Sequence, residues 1–274
     1  MKVAIQGIAG SFHAQAARDF FGDQAELINC AVFRDVFTAV KSGAADRGVV
    51  AIENSLHGPI NPVYRLLADE HLWICGEVRL KIELFLIGKH AGEPLSSVQR
   101  VISQLPALEQ CEQWLIKNTP KAVRQETSDT ALSVQSVANG NEAEGTVAIA
   151  SKLAASLHGG AILAGPINDD LENYTRFVVL AKEPISQTNA NRTSIILTES
   201  SDAPGILFKA LGYFERANIN LSKLDSHPLP GEHRRYSFYI DFDASAESEA
   251  GKQILNQLRL DGWSVQLLGS YTAD

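Results

Sequence analysis

The sequence is poor in the residues that build disulfide or metal frameworks. Its three cysteines, Cys30, Cys75 and Cys111, are odd in number, far apart and without a CxxC pair. That pattern argues against a zinc site or a disulfide scaffold, and the three read as buried reduced thiols. Basic charge is also scarce: 24 Lys and Arg against 32 Asp and Glu leave a formal net charge of −8. Sequence-independent nucleic-acid binding needs a basic face, so no nucleic-acid partner is expected. An anionic ligand would have to be held by local cations and backbone N–H groups against an unfavourable overall field. No apolar run reaches membrane-spanning length, and the run after Met1 is too short for a signal peptide. The expectation is a cytoplasmic protein with no membrane partner. Three glycosylation sequons, at Asn173, Asn191 and Asn220, read as chance matches in that setting.

What the 274 residues do contain is a repeated strand–helix order. Val3-Ala4-Ile5 reads as a short strand, followed by Gly7-Ile8-Ala9-Gly10-Ser11 and an Ala-rich helix. Strand, glycine turn and helix form an anion-cradling arrangement, or simply a tight turn with Ser11 as N-cap. The spacing is neither GxGxxG nor a Walker loop, so no dinucleotide or ATP site is indicated. Phe33, Val36, Phe37 and Val40 recur at i, i+3, i+4, i+7 and predict a helix with a core face. Gly48 to Ile52 is a continuous apolar run, as in a strand covered on both faces. Polar residues follow it: Glu53 is suited to bond a substrate hydroxyl, and Asn54 and Ser55 to donate to a carboxylate. The competing reading is an Asx-type turn capping the next helix. His57, the only histidine expected near this site, reads as a turn residue rather than an acid or base.

Leu72 to Gly88 reads as an extended crossover into a second lobe. Beyond it come a strand around Val98 to Ile102, one helix over Leu105 to Lys117 and a strand over Lys121 to Gln125. The hydroxyl-rich start Thr127-Ser128-Asp129-Thr130 opens another helix, an anion-competent end or a plain cap. Strands at Thr146 to Ala150 and Ile162-Leu163 flank a helix over Ser151 to His158. The order predicts a mostly parallel α/β domain of two lobes with a cleft between them. Asn173-Tyr174-Thr175-Arg176-Phe177 then brings an amide, a hydroxyl and a guanidinium to the mouth of an apolar strand, where open α/β sheets place ligand chemistry. Residues 183–191 read as a linker. The remaining segment has the order βαββαβ, the ferredoxin-like arrangement.

These motifs together resemble prephenate dehydratase with a C-terminal ACT regulatory domain, over almost the whole chain and in order. The glycine turn with Ser11 is similar to the family's N-terminal loop, and Glu53-Asn54-Ser55 with Gly58 to its Glu-Asn-Ser block. Asp129-Thr130-Ala131 resembles its helix start, and Asp169, Asn173, Thr175, Arg176 and Phe177 its Asp…Asn-x-Thr-Arg-Phe signature. Departures exist: the family's Ser-His-Pro-Gln block reads Ser103-Gln104-Leu105-Pro106 here, and a histidine-containing strand reads Leu80-Lys81-Ile82-Glu83-Leu84.

The resemblance implies a two-lobed, periplasmic-binding-protein-like catalytic domain over residues 1–182, a linker over 183–191 and an ACT domain over 192–274. It implies decarboxylating dehydration of prephenate to phenylpyruvate in phenylalanine biosynthesis, without metal or cofactor. Thr175 is the implied catalytic residue, with Ser11, Glu53, Asn54, Ser55, Thr130, Asn173 and Arg176 as substrate contacts. In a regular strand Thr175 and Phe177 share a face and Arg176 points away. Arg176 therefore reaches substrate only where the strand is irregular, or else braces the loop against Asp169. L-Phenylalanine is the implied effector, at Ala203, Pro204, Gly205, Leu207, Asn220, Leu221, Asp225 and Ser226. His227 stands there in place of the family's arginine. A homodimer or homotetramer is implied as well. The alternatives are an arogenate dehydratase and a non-catalytic amino-acid sensor.

Overall fold

A computed structural model describes residues 1–199, 203–229, 231 and 235–273. The first strands and helices are β1 (Lys2–Gln6), α1 (Phe12–Phe21), β2 (Glu26–Cys30), α2 (Phe33–Ser42), β3 (Arg47–Asn54), β4 (Gly58–Pro59) and α3 (Asn61–Glu70). The crossover is β5 (Trp73–Lys81) and β6 (Phe85–Gly88). There follow β7 (Arg100–Ser103), α4 (Leu105–Glu109), α5 (Glu112–Asn118), β8 (Val123–Glu126), α6 (Thr130–Ala138), β9 (Thr146–Ala150), α7 (Lys152–His158), β10 (Ala161–Ala164) and β11 (Tyr174–Ala181). The last elements are β12 (Arg192–Thr198), α8 (Ile206–Arg216), β13 (Leu221–Pro228), β14 (Tyr236–Phe242), α9 (Glu249–Leu260) and β15 (Ser264–Tyr271).

The strands form three sheets. The first has the order β2-β1-β3-β11-β5, with β4 paired to β3; β1 runs parallel to both of its neighbours. The second has the order β10-β6-β9-β7-β8. It is mixed rather than mostly parallel: β7 is parallel to β8 and β9, while β6 pairs antiparallel with β9 and β10. Strand β6, where the chain enters this sheet, is the one that runs against its neighbours. The third sheet, β13-β14-β12-β15, is antiparallel at each pairing and has two helices, α8 and α9, in the expected βαββαβ order.

The chain divides into two compact units, residues 1–63 with 78–177 and residues 64–77 with 178–274. In the first unit, the fully buried strand β9 packs under α6 and α7 through Ala131, Val134, Ala148, Ala150 and Ala154. In the second, the inward faces of β12 and β14 (Ile195, Leu197, Phe238, Ile240, Phe242) close on α8 and α9 through Phe214, Leu255 and Leu258. Tyr64 belongs to this unit: its ring stacks on His227 at 5.3 Å, and the Tyr239 hydroxyl donates to the Tyr64 carbonyl at 2.8 Å.

Two expected elements differ in detail. The single helix over Leu105 to Lys117 is broken at Gln110-Cys111 into α4 and α5. Asp169 holds the break: its backbone N–H donates to the Gln110 carbonyl at 2.8 Å, and its carboxylate accepts from the N–H groups of Gln113 and Trp114 at 2.7 and 2.9 Å. Those two donors are the otherwise unpaired first-turn groups of α5, and a carboxylate is the favoured partner at that end. Strand β11 begins at Tyr174 rather than Phe177, so the polar motif lies within the strand.

Helix α1 starts directly at the glycine turn, with the Ser11 hydroxyl accepting from the Ala14 N–H at 3.2 Å. Gly10 has φ +92°, and a Cβ there would stand 2.9 Å from the Ala154 Cα of α7. Replacing Gly10 with alanine combines left-handed strain with a backbone clash, and is expected to lower the unfolding free energy by about 2 kcal/mol. Urea unfolding of Gly10→Ala, read as a lower midpoint at unchanged slope, checks this.

Candidate active site

The carboxyl ends of β1 and β3, the start of β11 and the starts of α1, α4 and α6 surround one cavity of about 420 Å³ in the first unit. That volume suits a small organic ligand. Its apolar wall includes Phe12, Phe33, Ile60, Ile82, Leu84 and Phe177, and its polar wall Ser11, Asn54, Gln104, Gln110, Thr130 and Thr175. Among the described residues the wall includes no lysine or arginine. The local cations that the net charge made desirable are therefore not lining this cavity; neutral donors are, beside the carboxyl group of Asp129.

Asn54 organises the polar side. The two hydrogens of its Nδ2 are shared among three acceptors, Asn173 Oδ1 at 2.7 Å, Thr175 Oγ1 at 3.0 Å and the Tyr174 carbonyl at 3.1 Å. Its Oδ1 accepts from the backbone N–H groups of Leu56 and His57, both at 3.0 Å. Asn173 Nδ2 donates to Gln110 Oε1 at 2.8 Å, and Gln110 Nε2 reaches back to Asn54 Oδ1 at 3.4 Å. Asn54, Asn173 and Gln110 thus close a ring of amides, each oriented by the next. Asn173 is fully buried and Thr175 nearly so. Because Thr175 Oγ1 already accepts from Asn54, its own proton is the part of the hydroxyl left to give.

The expected site residues therefore separate into two layers. Ser11, Asn54, Thr130 and Thr175 line the cavity. Glu53, Ser55, Asn173 and Arg176 stand outside its wall. Alternation along the strands accounts for this: Asn54 and Thr175 face inward, so Glu53 and Arg176 face the other side. There Arg176, buried, lies 3.4 Å from Glu53 Oε1, while Asp169 serves the start of α5 instead. Ser55 ties the loop to β11: its hydroxyl donates to the Glu172 carbonyl at 3.1 Å and accepts from the Tyr174 N–H at 3.0 Å. Gln104 donates to the Ser128 carbonyl at 2.7 Å and so steadies the entry to α6. Asp129 caps that helix by accepting from the Leu132 N–H at 2.8 Å, and burial raises its pKa.

Two wall residues went unrecognised. Gln110 becomes visible only through the helix break. His13 corrects the expectation that His57 is the lone nearby histidine. His57 does line the cavity, with its Nδ1 3.7 Å from Glu109, but His13 lies deeper. Its Nε2 accepts from the Ala51 N–H at 3.2 Å, and its ring meets Phe177 edge-on at 5.1 Å. Burial pushes its pKa down from 6.5 to about 3.

Residues 3–185 match the family described as Prephenate dehydratase. The "Bifunctional chorismate mutase/prephenate dehydratase" of Aquifex aeolicus is 36% identical over 271 residues, spanning 99% of this chain and 73% of that protein. "Arogenate dehydratase/prephenate dehydratase 2, chloroplastic" of Arabidopsis thaliana is 38% identical over 286 residues, spanning 100% of this chain and 73% of that protein. Among solved structures, a prephenate dehydratase of Arthrobacter aurescens in complex with L-Phe has a TM-score of 0.88 and 27% identity, covering 100% of this chain and 90% of that one.

A buried histidine that stays neutral makes stability depend on pH. Above pH 6.5 neither state is protonated at this site and the full contribution is present. As pH falls from 6.5 towards 3 only the unfolded chain takes up the proton, so stability is lost through that window. The expected outcome is that the wild type loses more unfolding free energy between pH 7 and pH 4 than His13→Phe does, as read by urea titrations at each pH. Match, motif order and site geometry agree that the chain belongs to the prephenate dehydratase family.

Proposed function

We propose that the chain is a prephenate dehydratase, converting prephenate to phenylpyruvate with loss of water and CO2. The observation that carries this is the amide ring of Asn54, Asn173 and Gln110, which holds Thr175 Oγ1 as acceptor at the wall of a ligand-sized cavity and leaves its proton free to donate. In the reaction the bond from ring C1 to its carboxylate breaks, and that electron pair moves into the ring. The C4–O bond then breaks, and the departing oxygen takes up one proton to leave as water. Prephenate dianion plus a proton thereby becomes phenylpyruvate monoanion, CO2 and water. Aromatisation drives the change, so the protein has to bind, orient and assist the leaving hydroxyl.

Thr175 is assigned that assistance. A threonine hydroxyl is a weak acid, so it acts as a hydrogen-bond donor whose contribution grows as charge develops on the departing oxygen. Asn173 and Gln110 position it through Asn54. Ser11 and Thr130, at the starts of α1 and α6, supply hydroxyl donors beside helix ends that favour an anion. With no lysine or arginine among the described residues of the wall, the two carboxylates of the substrate are met by such dipoles. Arg176 and Glu53 brace the strands behind the wall.

The first 182 residues serve as the two-lobed catalytic domain, residues 183–191 as the linker and residues 192–274 as the ACT domain. Ala203, Pro204, Gly205 and Leu207 at the start of α8, with Asn220, Leu221, Asp225 and Ser226 on or before β13, are the proposed L-phenylalanine site. His227 replaces an arginine but stays within the same polar group, 3.2 Å from Asp225 Oδ2. The edge strand β13 supports pairing with a second copy, as a homodimer or homotetramer in the cytoplasm.

Thr175→Ala is expected to lower turnover of prephenate about 10²–10⁴-fold while leaving the melting temperature nearly unchanged. Ultraviolet detection of phenylpyruvate measures it, and near wild-type turnover would sink the assignment. L-Phenylalanine is expected to bind and to change that rate, with Asp225→Ala weakening its affinity about 10-fold, as loss of a charge-assisted hydrogen bond does. Calorimetry reads the affinity; unaltered binding in the variant removes Asp225 from the effector site.

A further inference from the structure

Arogenate differs from prephenate in carrying an amine where prephenate carries a keto oxygen, and the wall of this cavity holds a group suited to read that difference. His13 is locked in one tautomer. The Ala51 N–H donates to its Nε2 at 3.2 Å, so a neutral ring keeps its proton on Nδ1, and turning the ring over would set two N–H groups against each other. Phe33 and Phe177 fix the ring plane, with centroids 5.6 and 5.1 Å away at 56° and 86°. Protein surrounds the imidazole, yet it keeps accessible surface and lines the cavity, so the space it meets is the cavity itself. Among the described residues Nδ1 has no hydrogen-bond partner, and it is not sealed from solvent.

Its place along β11 matches the need. Thr175 and Phe177 share one face of the strand, about 7 Å apart. His13 packs against Phe177, one step along from the hydroxyl of Thr175. That separation is comparable to the reach from the C4 hydroxyl of the cyclohexadiene ring to the oxygens of its C1 side chain. A substrate seated with its hydroxyl on Thr175 brings that side chain to His13.

We propose that His13 is a specificity-determining residue: its Nδ1–H donates to the keto oxygen of the substrate side chain and so selects the keto acid over the corresponding amino acid. This rests on the dehydratase reading above. A ketone oxygen accepts the bond, whereas an ammonium group is donor-only and leaves two donors facing each other, both desolvated. Burial keeps the imidazole neutral at any working pH, so it does not turn into a cationic anchor that would treat the two side chains alike through their shared carboxylate.

The experiment compares kcat/KM for prephenate and for arogenate in the wild type, in His13→Phe and in His13→Asn. Phenylalanine, a ring-matched apolar residue, removes the Nδ1–H donor together with the Nε2 acceptor of the Ala51 N–H, while the asparagine amide returns a donor near the Nδ1 position. The expected wild-type ratio favours prephenate by about 100-fold or more, as for sites that bond a specific polar atom of their substrate. His13→Phe brings the ratio down at least about 10-fold and His13→Asn retains most of it. A wild type that uses both substrates equally overturns the proposal, and this holds even where His13→Phe fails to fold. So does a folded His13→Phe, verified by circular dichroism, with an unchanged ratio. Turnover of neither substrate by the wild type overturns the dehydratase reading and the proposal with it; turnover of prephenate with an unmoved ratio overturns the proposal alone.

Discussion

A ring of primary amides holds the site together. Asn54 ends β3, Asn173 immediately precedes β11, and Gln110 sits at the break between α4 and α5; their side chains close on one another at 2.7, 2.8 and 3.4 Å. An amide is both donor and acceptor, so a closed ring satisfies every member without any charge. Buried polar groups are costly when one partner is missing and specific when all are present. The strand ends and the helix break are thereby tied to a single arrangement, and Thr175 inherits its orientation from it. Arg176 with Glu53 on the reverse side, and Asp169 at the start of α5, are further bonds that keep those ends in register.

The site is a place where neutral groups do what charge does elsewhere. Helix starts at Ser11 and Thr130, the amide ring and the hydroxyl of Thr175 present hydrogen-bond donors, and Phe12, Phe33 and Phe177 present an apolar floor. Fixed dipoles of this kind need no reorganisation as charge moves through a reacting ring. They also impose direction in a way that a mobile lysine does not. A rigid wall of this sort suits a reaction whose driving force lies in the substrate and whose need is alignment.

Much of this was legible in the sequence. The βαββαβ tail, the helix of Phe33, Val36, Phe37 and Val40, and the buried run into Asn54 followed from apolar periodicity, a local property. The motif around Thr175 was legible as chemistry, and strand alternation already separated Thr175 from Arg176. The same alternation set Glu53 against Asn54, but polar residues at a strand end look alike until the strand is known to continue through them. Gln110 was hidden because no glycine marks the break before it, and the apolar spacing of Leu108, Leu115 and their neighbours continues across it. The break depends on Asp169, nearly sixty residues onward, and long-range pairing of that sort leaves no local trace. His13 was hidden for a related reason. A histidine in an alanine-rich helix signals nothing until Ala51 supplies its N–H and Phe177 its packing.

A wall with no lysine or arginine among the described residues, in a protein of net charge −8, has a consequence for encounter rather than for chemistry. A dianion approaching this surface climbs a repulsive potential before any hydrogen bond forms. Dissolved salt screens that potential over about 10 Å at 0.1 M, while the bonds made inside the cavity are short-ranged and escape screening. Ionic strength therefore assists capture here, the reverse of its effect on sites that draw anions in with lysine and arginine. Selection by shape and donor placement comes at the cost of long-range attraction, and the surrounding electrolyte supplies what the protein surface does not.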